Sequence, residues 1–234
     1  MRVIKIFTML LGLAANFLFV YMEDRIEFGT IVLALLLFLF ASGIHLTLHE
    51  CGHFVGGKLT GYRLLYLQVG CVKLSRNKEG KLSFKIESGR GGQCIMIPSW
   101  NENVSYRAYN LGGILLNFMA CISAIMLLSS DSFFVILFFL EFTFAGALKI
   151  ITNIVPCCSN GVPNDGYIVK LLRRSKAIQN DYCRYLHLYA ALFLQEEIEI
   201  SHYCYQRAET DRKEELLYYN GIQALLKDNK YIGT

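Results

Sequence analysis

The sequence lacks the features that mark disulfide-bonded secreted domains and nucleic-acid-binding proteins. Its eight cysteines include no Cys-x-x-Cys pair and are scattered over 234 residues, so we interpret them as reduced thiols. Lys and Arg total 23 against 19 Asp and Glu, and no basic patch with interleaved aromatic residues is present. The net charge of +4 therefore gives no reason to expect a nucleic-acid partner.

Charged residues are scarce in four long stretches of the chain. Hydrophobic residues make up 54% of the sequence and the mean hydropathy is +0.37, whereas a soluble domain is usually about 45–50% apolar. Because ~20 apolar residues cross a bilayer, we predict four membrane-spanning helices at about residues 3–22, 30–57, 108–128 and 133–155. Residues 16–22 offer no small-x-small cleavage site, so we interpret the first stretch as a retained span and not as a signal peptide.

The composition changes between the second and third predicted spans. Lys and Arg become frequent, and two strand-like stretches, 62–74 and 81–87, are joined by a hairpin signal that ends at Gly80. We therefore predict a small membrane-associated β region at about residues 62–97.

The last part of the chain, residues 176–234, is polar and has amphipathic helical stripes. It predicts a cytoplasmic helical tail after a membrane core formed by residues 1–175. Basic residues gather before the first span, between the second and third, and after residue 172. The positive-inside rule then places both termini in the cytoplasm. The predicted fold is a mainly α-helical polytopic membrane protein, surrounded by a lipid bilayer, whose tail is free to bind a protein partner.

The sequence His-Glu-Cys-Gly-His, residues 49–53, follows an almost uncharged run at the end of the second predicted span. On a helix, positions i and i+4 share a face, so His49 and His53 are spaced to bind one metal ion. Glu50 is placed to act as a general base. The alternative is that both histidines are hydrogen-bonded polar residues at a helix end. Ionisable residues within a membrane usually mark a functional site, which favours metal binding.

A catalytic zinc ion takes three protein ligands and a water molecule. His45 lies on the same helical stripe but ~12 Å along the axis from His53, too far for both to bind one ion. We expect it to contact the ligands or a substrate, or to be an ordinary hydrogen-bonded residue. Asp165 follows the fourth span at about the depth of the histidines and is the best third ligand by position. It could also cap a helix, and the two roles are compatible.

Three further polar residues lie within predicted spans. Asn117 and Asn153 fall near the depth of the histidines, where each could donate a hydrogen bond to a substrate carbonyl or an oxyanion. Hydrogen bonding between helices is the alternative. Glu141 lies in the middle of the fourth span, and the sequence leaves open whether it is a buried structural group or connects to the site.

Three motifs carry a family resemblance. The segment His49-Glu-Cys-Gly-His-Phe-Val-Gly-Gly-Lys-Leu-Thr-Gly61 is similar to the pattern HExGHxxxAxxxG, with Gly57 in place of alanine. Asn153-Ile-Val-Pro156, then Asn164-Asp-Gly166 after seven intervening residues, is similar to NxxP followed by DG. Gly113-Ile-Leu-Leu-Asn117 is similar to GxxxN. Over about residues 30–172, the chain thus resembles the site-2 protease family of intramembrane zinc metalloproteases.

The resemblance implies one Zn2+ per chain, with His49, His53 and Asp165 as its ligands and Glu50 as the acid/base. It implies that the protein is an intramembrane zinc endopeptidase that cleaves a membrane-embedded peptide or protein segment near the cytoplasmic face. It also implies that Asn117 and Asn153 contact the substrate or the transition state. The β region would present the substrate as an added strand. A bacterial cell membrane is the expected location, and regulated proteolysis or peptide maturation the expected role.

Two other interpretations stay open at this point. The chain could be a catalytically silent scaffold that acts as a peptide-binding or immunity partner. It could also be a different membrane-bound HExxH protease, whose third ligand would come from Glu196 or Glu197 in the polar tail.

Overall fold

The computed structural model describes residues 2–23, 27–89, 91–99, 105–128, 132–159, 161–207, 210 and 212–228. Most of these residues are helical. Seven α-helices and six short strands follow one another in the described chain, and the four longest apolar helices are α1 (Arg2–Met22), α2 (Phe28–Leu59), α3 (Tyr106–Met126) and α4 (Phe133–Ile154). Parts of the predicted connections around residues 24–26 and 129–131, and the end of the tail at 229–234, lie outside the described residues.

Three helices in the described part of the chain, α2, α3 and α4, are long and apolar enough to cross a membrane. In α1 the apolar stretch Thr8–Met22 is shorter. Large apolar side chains such as Leu39, Phe40 and Phe118 are at least half exposed on these helices, with exposed fractions of 58%, 63% and 50%. Such surfaces are unfavourable in water and suited to lipid, which agrees with a mainly helical membrane protein. The fourth span and the orientation stay predictions.

The chain divides into two compact units, of which the first comprises Met1–His53 and Leu111–Tyr167. Glycines let the helices of this unit approach closely. A Cβ on Gly52 would lie 2.3 Å from the carbonyl oxygen of Gly112, and a Cβ on Gly112 would lie 2.2 Å from that of Gly52. Only glycine permits this contact between α2 and α3, an arrangement common among membrane helices. It lies directly beside His53.

The second unit, Phe54–Asn110 and Ile168–Thr234, contains an antiparallel sheet in the order β3-β2-β1-β4. In chain order the strands are β1 (Arg63–Val69), β2 (Val72–Arg76), β3 (Leu82–Ile86) and β4 (Gly92–Ile97). The predicted β region is therefore present, and its association with a membrane stays a prediction. The predicted strand over 62–74 is in fact two strands, because Gly70 turns the chain with a φ of +58°.

The tail contains the predicted helices, although the described residues from 195 to 212 are mostly non-helical. The short hairpin β5 (Cys158–Ser159) and β6 (Val162–Pro163) is followed by α5 (Asp165–Leu172), α6 (Lys176–Leu194) and α7 (Leu217–Asp228). Within the second unit, Ala190 of α6 packs on Leu65 of the sheet, and Leu188 packs on Ile222 of α7. The tail helices thus share a compact unit with the sheet, while the predicted division at residue 175 and the cytoplasmic location stay predictions.

Candidate metal centre

Two buried histidines face each other one turn apart on α2. His49 and His53 are 3% and 7% exposed, and their ring planes meet at 88°. Their Nε2 atoms are 3.2 Å apart. This is the local consequence of the i, i+4 spacing, which stacks the two side chains on one helical face.

Asp165, the first residue of α5, completes a triangle with the two imidazoles. Its Oδ2 atom lies 3.0 Å from Nε2 of His49 and 3.4 Å from Nε2 of His53. The structure therefore brings together all three residues that the sequence predicts as metal ligands, although more than a hundred residues separate Asp165 from the histidines in the chain.

The triangle has the dimensions of a tetrahedral metal site. Two ligand atoms that each lie ~2.1 Å from a tetrahedral zinc ion are about 3.4 Å apart, and the three observed separations are 3.0, 3.2 and 3.4 Å. Oδ2 of Asp165 is buried and has no hydrogen bond of acceptable geometry, although both imidazoles face it. These residues fit a divalent cation bound by two nitrogens and one oxygen.

The ionisation of Asp165 also suits a cation. Burial alone would raise the pKa of its carboxyl group, but the facing imidazoles of His49 and His53 outweigh burial and hold that pKa well below its usual range. The carboxylate is therefore ionised at neutral pH. A buried carboxylate is stable only beside compensating positive charge or hydrogen-bond donors, and a bound cation would supply that charge.

The side chain of Asn164 bridges the two ends of the loop that precedes Asp165. The amide nitrogen of Asn164 donates to the carbonyl oxygens of Thr152 (2.8 Å) and Val155 (2.7 Å) at the end of α4. Its amide oxygen accepts from the backbone nitrogens of Cys157 and Tyr167, both at 3.0 Å. Asn164 therefore caps the end of α4 and the start of α5 at once.

The seven residues that precede Asn164 do not displace the ligand. They include the β5–β6 hairpin, in which Cys158 pairs with Pro163 and Ser159 with Val162. The hairpin takes up the extra length and returns the chain to α4. Gly166 then approaches α4 so closely that a Cβ would lie 2.2 Å from the carbonyl oxygen of Ile154. The seven residues between Pro156 and Asn164 are thus accommodated outside the candidate metal centre.

Glu50 is 5% exposed and follows His49 on α2. Lys149 of α4 interacts electrostatically with the carboxylates of Glu50 and Asp165. Lys149 is not among the site residues that the sequence predicts. Its position in the fourth span, one turn before Asn153, was the signal that could have connected it with the centre.

His45 and Asn117 form a buried chain that ends on His49. Nε2 of His45 lies 3.0 Å from the carbonyl oxygen of Phe142, and Nδ1 lies 3.0 Å from Oδ1 of Asn117. Nδ2 of Asn117 is 3.3 Å from Nδ1 of His49. Asn117 has no exposed surface. To contact a substrate, as the sequence predicts, its amide would have to leave both rings.

The other two polar residues of the predicted spans lie on α4. Asn153 donates to the carbonyl oxygen of Lys149 at 2.8 Å, within its own helix. Its predicted contact with a substrate or transition state stays a prediction. Glu141 is buried at 4% exposure, and its role stays open.

Gly113, in the middle of α3, gives the His49 ring its space. A Cβ at this position would lie 2.7 Å from both Nδ1 and the backbone oxygen of His49. Gly113 and Asn117, the two defining residues of this motif, therefore both contact His49.

Comparison with known proteins adds no family assignment. No protein-family model matches the chain, and no significant match was found among curated proteins or solved structures. The resemblance to the site-2 protease family therefore rests on the three motifs and stays a prediction, whereas the grouping of His49, His53 and Asp165 as a possible metal-binding triad is a property of the fold.

Proposed function

We propose that the protein is an intramembrane zinc endopeptidase. The observation that supports this proposal is the 3.0–3.4 Å triangle of His49, His53 and Asp165, formed beside Glu50 at one end of a 32-residue apolar helix. Two imidazoles and one carboxylate are a ligand set typical of catalytic zinc, which leaves a fourth position open. A zinc ion held there would supply Lewis-acid activation of water and of a scissile carbonyl group.

The chain's own residues would carry the proton transfers. Glu50 accepts a proton from the attacking water and returns it to the leaving amine, which is the general acid–base role of a carboxylate beside a metal centre. Lys149 lies where its charge acts on both Glu50 and Asp165. His49, His53 and Glu50 are buried, and the side chain of Asp165 is 15% exposed, so electrostatic interactions inside the site are strong.

The proposed substrate is a transmembrane or membrane-associated peptide. A substrate helix hides its carbonyl groups in its own hydrogen bonds, so the segment must unwind before it can be cleaved. Strand β3 is at the edge of the sheet and exposes Leu82, Phe84 and Ile86. Such an edge is able to pair with an extended segment. Regulated proteolysis or peptide maturation are the processes that this chemistry would serve.

The decisive experiment separates metal binding from chemistry. Glu50→Gln keeps the three ligands, so purified protein should retain near-stoichiometric zinc by metal analysis while cleavage of membrane peptides in a proteomic comparison falls by at least about a hundredfold. Thr47→Val, an exposed position on the same helix, is the control. Cleavage unchanged in Glu50→Gln would reject the role of Glu50. Zinc binding without any cleavage by the wild type would instead favour a silent scaffold.

We further propose four spans in a bacterial cell membrane, with both termini and the metal centre toward the cytoplasm. This orientation rests on the distribution of basic residues. In single-cysteine variants that retain Cys71, Cys158 or Cys204, a membrane-impermeant maleimide should react only after the membrane is opened; all three are free thiols. A cysteine introduced by Glu23→Cys, after α1, should react in intact cells. The reverse pattern would overturn the orientation.

A further inference from the structure

The hydrogen bonds of His45 determine which of its nitrogens carries a proton. Nε2 faces the carbonyl oxygen of Phe142 at 3.0 Å, and a carbonyl group can only accept, so Nε2 must donate. A neutral imidazole has a single N–H group. Nδ1 of His45 therefore holds a lone pair and requires a hydrogen-bond donor. The side-chain amide of Asn117 lies 3.0 Å from this nitrogen, and within that amide only the nitrogen can donate.

The position of the proton on His49 requires the same orientation of the Asn117 amide. Nε2 of His49 faces Asp165 in the ligand triangle, and a nitrogen that binds a metal cannot carry a proton. The proton of His49 is then on Nδ1, which lies 3.3 Å from the side-chain amide of Asn117. This N–H group must donate to the amide oxygen. Two independent rings thus require the oxygen of Asn117 to face His49 and its nitrogen to face His45.

This orientation differs by a half-turn of the Asn117 amide from the one in which Oδ1 lies toward His45. The two ends of an asparagine amide are nearly equal in size and are assigned from the hydrogen-bond network. With Oδ1 toward His45, that ring would have to be doubly protonated between apolar helices, and the proton of His49 would occupy the nitrogen that faces the metal. Both consequences are unfavourable.

The ring of His45 is held too tightly to avoid these contacts. A Cβ added to Gly146 of α4 would lie 2.6 Å from Nε2 of His45 and 2.3 Å from Sγ of Cys121. His45 is 1% exposed and lies against Phe142, with a ring-centroid separation of 4.2 Å. Packing fixes the ring, and the fixed ring selects the amide orientation.

We propose that His45 and Asn117 are positioning residues that fix the tautomer of His49. His45 orients the Asn117 amide, the amide oxygen accepts the Nδ1 proton of His49, and the Nε2 lone pair is directed into the triangle. The inference rests on the proposed metal centre but not on protease activity. Partners of this kind commonly raise metal affinity by about tenfold to a hundredfold.

The test measures zinc affinity of the full chain in detergent, by competition with a chromogenic chelator. Asn117→Leu removes the acceptor and should weaken zinc binding about tenfold to a hundredfold, whereas Asn117→Asp keeps an acceptor toward His49 and should stay within about threefold of the wild type. Ser123→Ala, whose hydroxyl bonds the backbone of Met119 on the same helix, is the control. An Asn117→Asp loss as large as that of Asn117→Leu would contradict the proposed orientation.

A double-mutant cycle tests whether His45 acts through Asn117. His45→Phe alone should weaken zinc binding by up to about tenfold, and the double variant with Asn117→Leu should be no weaker than Asn117→Leu alone. Residues that only fill space would give additive effects, which would overturn the proposal.

The tautomer itself is measurable in the wild type, independently of whether the variants fold. In protein labelled with 15N-histidine, His45 should show a protonated Nε2 and an unprotonated Nδ1. A doubly protonated His45 would reject the inference. If the wild type binds no zinc, the proposed metal centre fails with it. If zinc binds but the cycle is additive, the positioning role alone fails.

Discussion

Asp165 in the first compact unit and Asp181 in the second are both withdrawn from solvent, with side-chain exposures of 15% and 2%. Asp181 faces a permanent cation, since Nη1 of Arg207 lies 2.5 Å from its Oδ2. It also accepts a hydrogen bond from the hydroxyl of Tyr205. Asp165 instead makes its closest contacts with two imidazoles, which are themselves able to bind a cation.

A structural carboxylate and a candidate metal ligand differ in the chemistry of their neighbours. Asp181 has its counter-charge within the fold, because the guanidinium of Arg207 lies beside its carboxylate. Asp165 shares its space with two imidazoles that can offer lone pairs, so the three residues together could hold a metal ion. Burial is common to both, and only the chemistry of the neighbours distinguishes them.

The largest effect is expected from Asp165→Asn. Loss of the anionic ligand should weaken zinc binding by more than about a hundredfold, the upper range for residues that only support a ligand. Zinc at a hundred times its dissociation constant should stabilise the wild type by about 2.7 kcal/mol, and this gain should vanish in the variant. Thermal unfolding with and without a chelator measures it. A chelator-sensitive variant would show that Asp165 is not a ligand.

Asp181→Asn should have the opposite profile. It leaves the guanidinium of Arg207 buried without its counter-charge, which destabilises a protein by about 3–5 kcal/mol, while the zinc-dependent gain in stability stays as in the wild type. The same thermal unfolding experiment applies, with Asp228→Asn, at an exposed position, as the control. A loss of zinc binding in Asp181→Asn would end the distinction between the two aspartates.

A smaller effect is expected from Asn164→Ala. The variant removes the four hydrogen bonds that join the end of α4 to the start of α5. Loss of a helix cap lowers stability by about 0.5–2 kcal/mol, and a looser Asp165 should weaken zinc binding by about tenfold. Val162→Ala, at an exposed position in the same hairpin, should change neither quantity. Unchanged affinity in Asn164→Ala would show that the hairpin places Asp165 without this cap.

The local part of the metal centre was predictable because it depends on one helix. The spacing of His49 and His53 and the apolar run before them fix a shared face and a membrane setting without reference to the rest of the chain. The strand pattern at 62–97 similarly predicted a sheet, since alternation and turn residues are local signals. The turn at Gly70 was missed, because a glycine inside a strand-like run can also mark a bulge, and only the backbone shows that the chain reverses there.

The amino-acid sequence alone shows which ionisable residues lie in or next to the apolar helices, and these residues are so few that His49, His53 and Asp165 could be named as ligands. Only the tertiary structure decided that these three atoms lie 3.0–3.4 Å apart. It also decided that Asn117 contacts His49, and that a hairpin absorbs the residues before Asn164. Such contacts join residues far apart in the chain, and close helix packing at glycines, not any local pattern, brings them together.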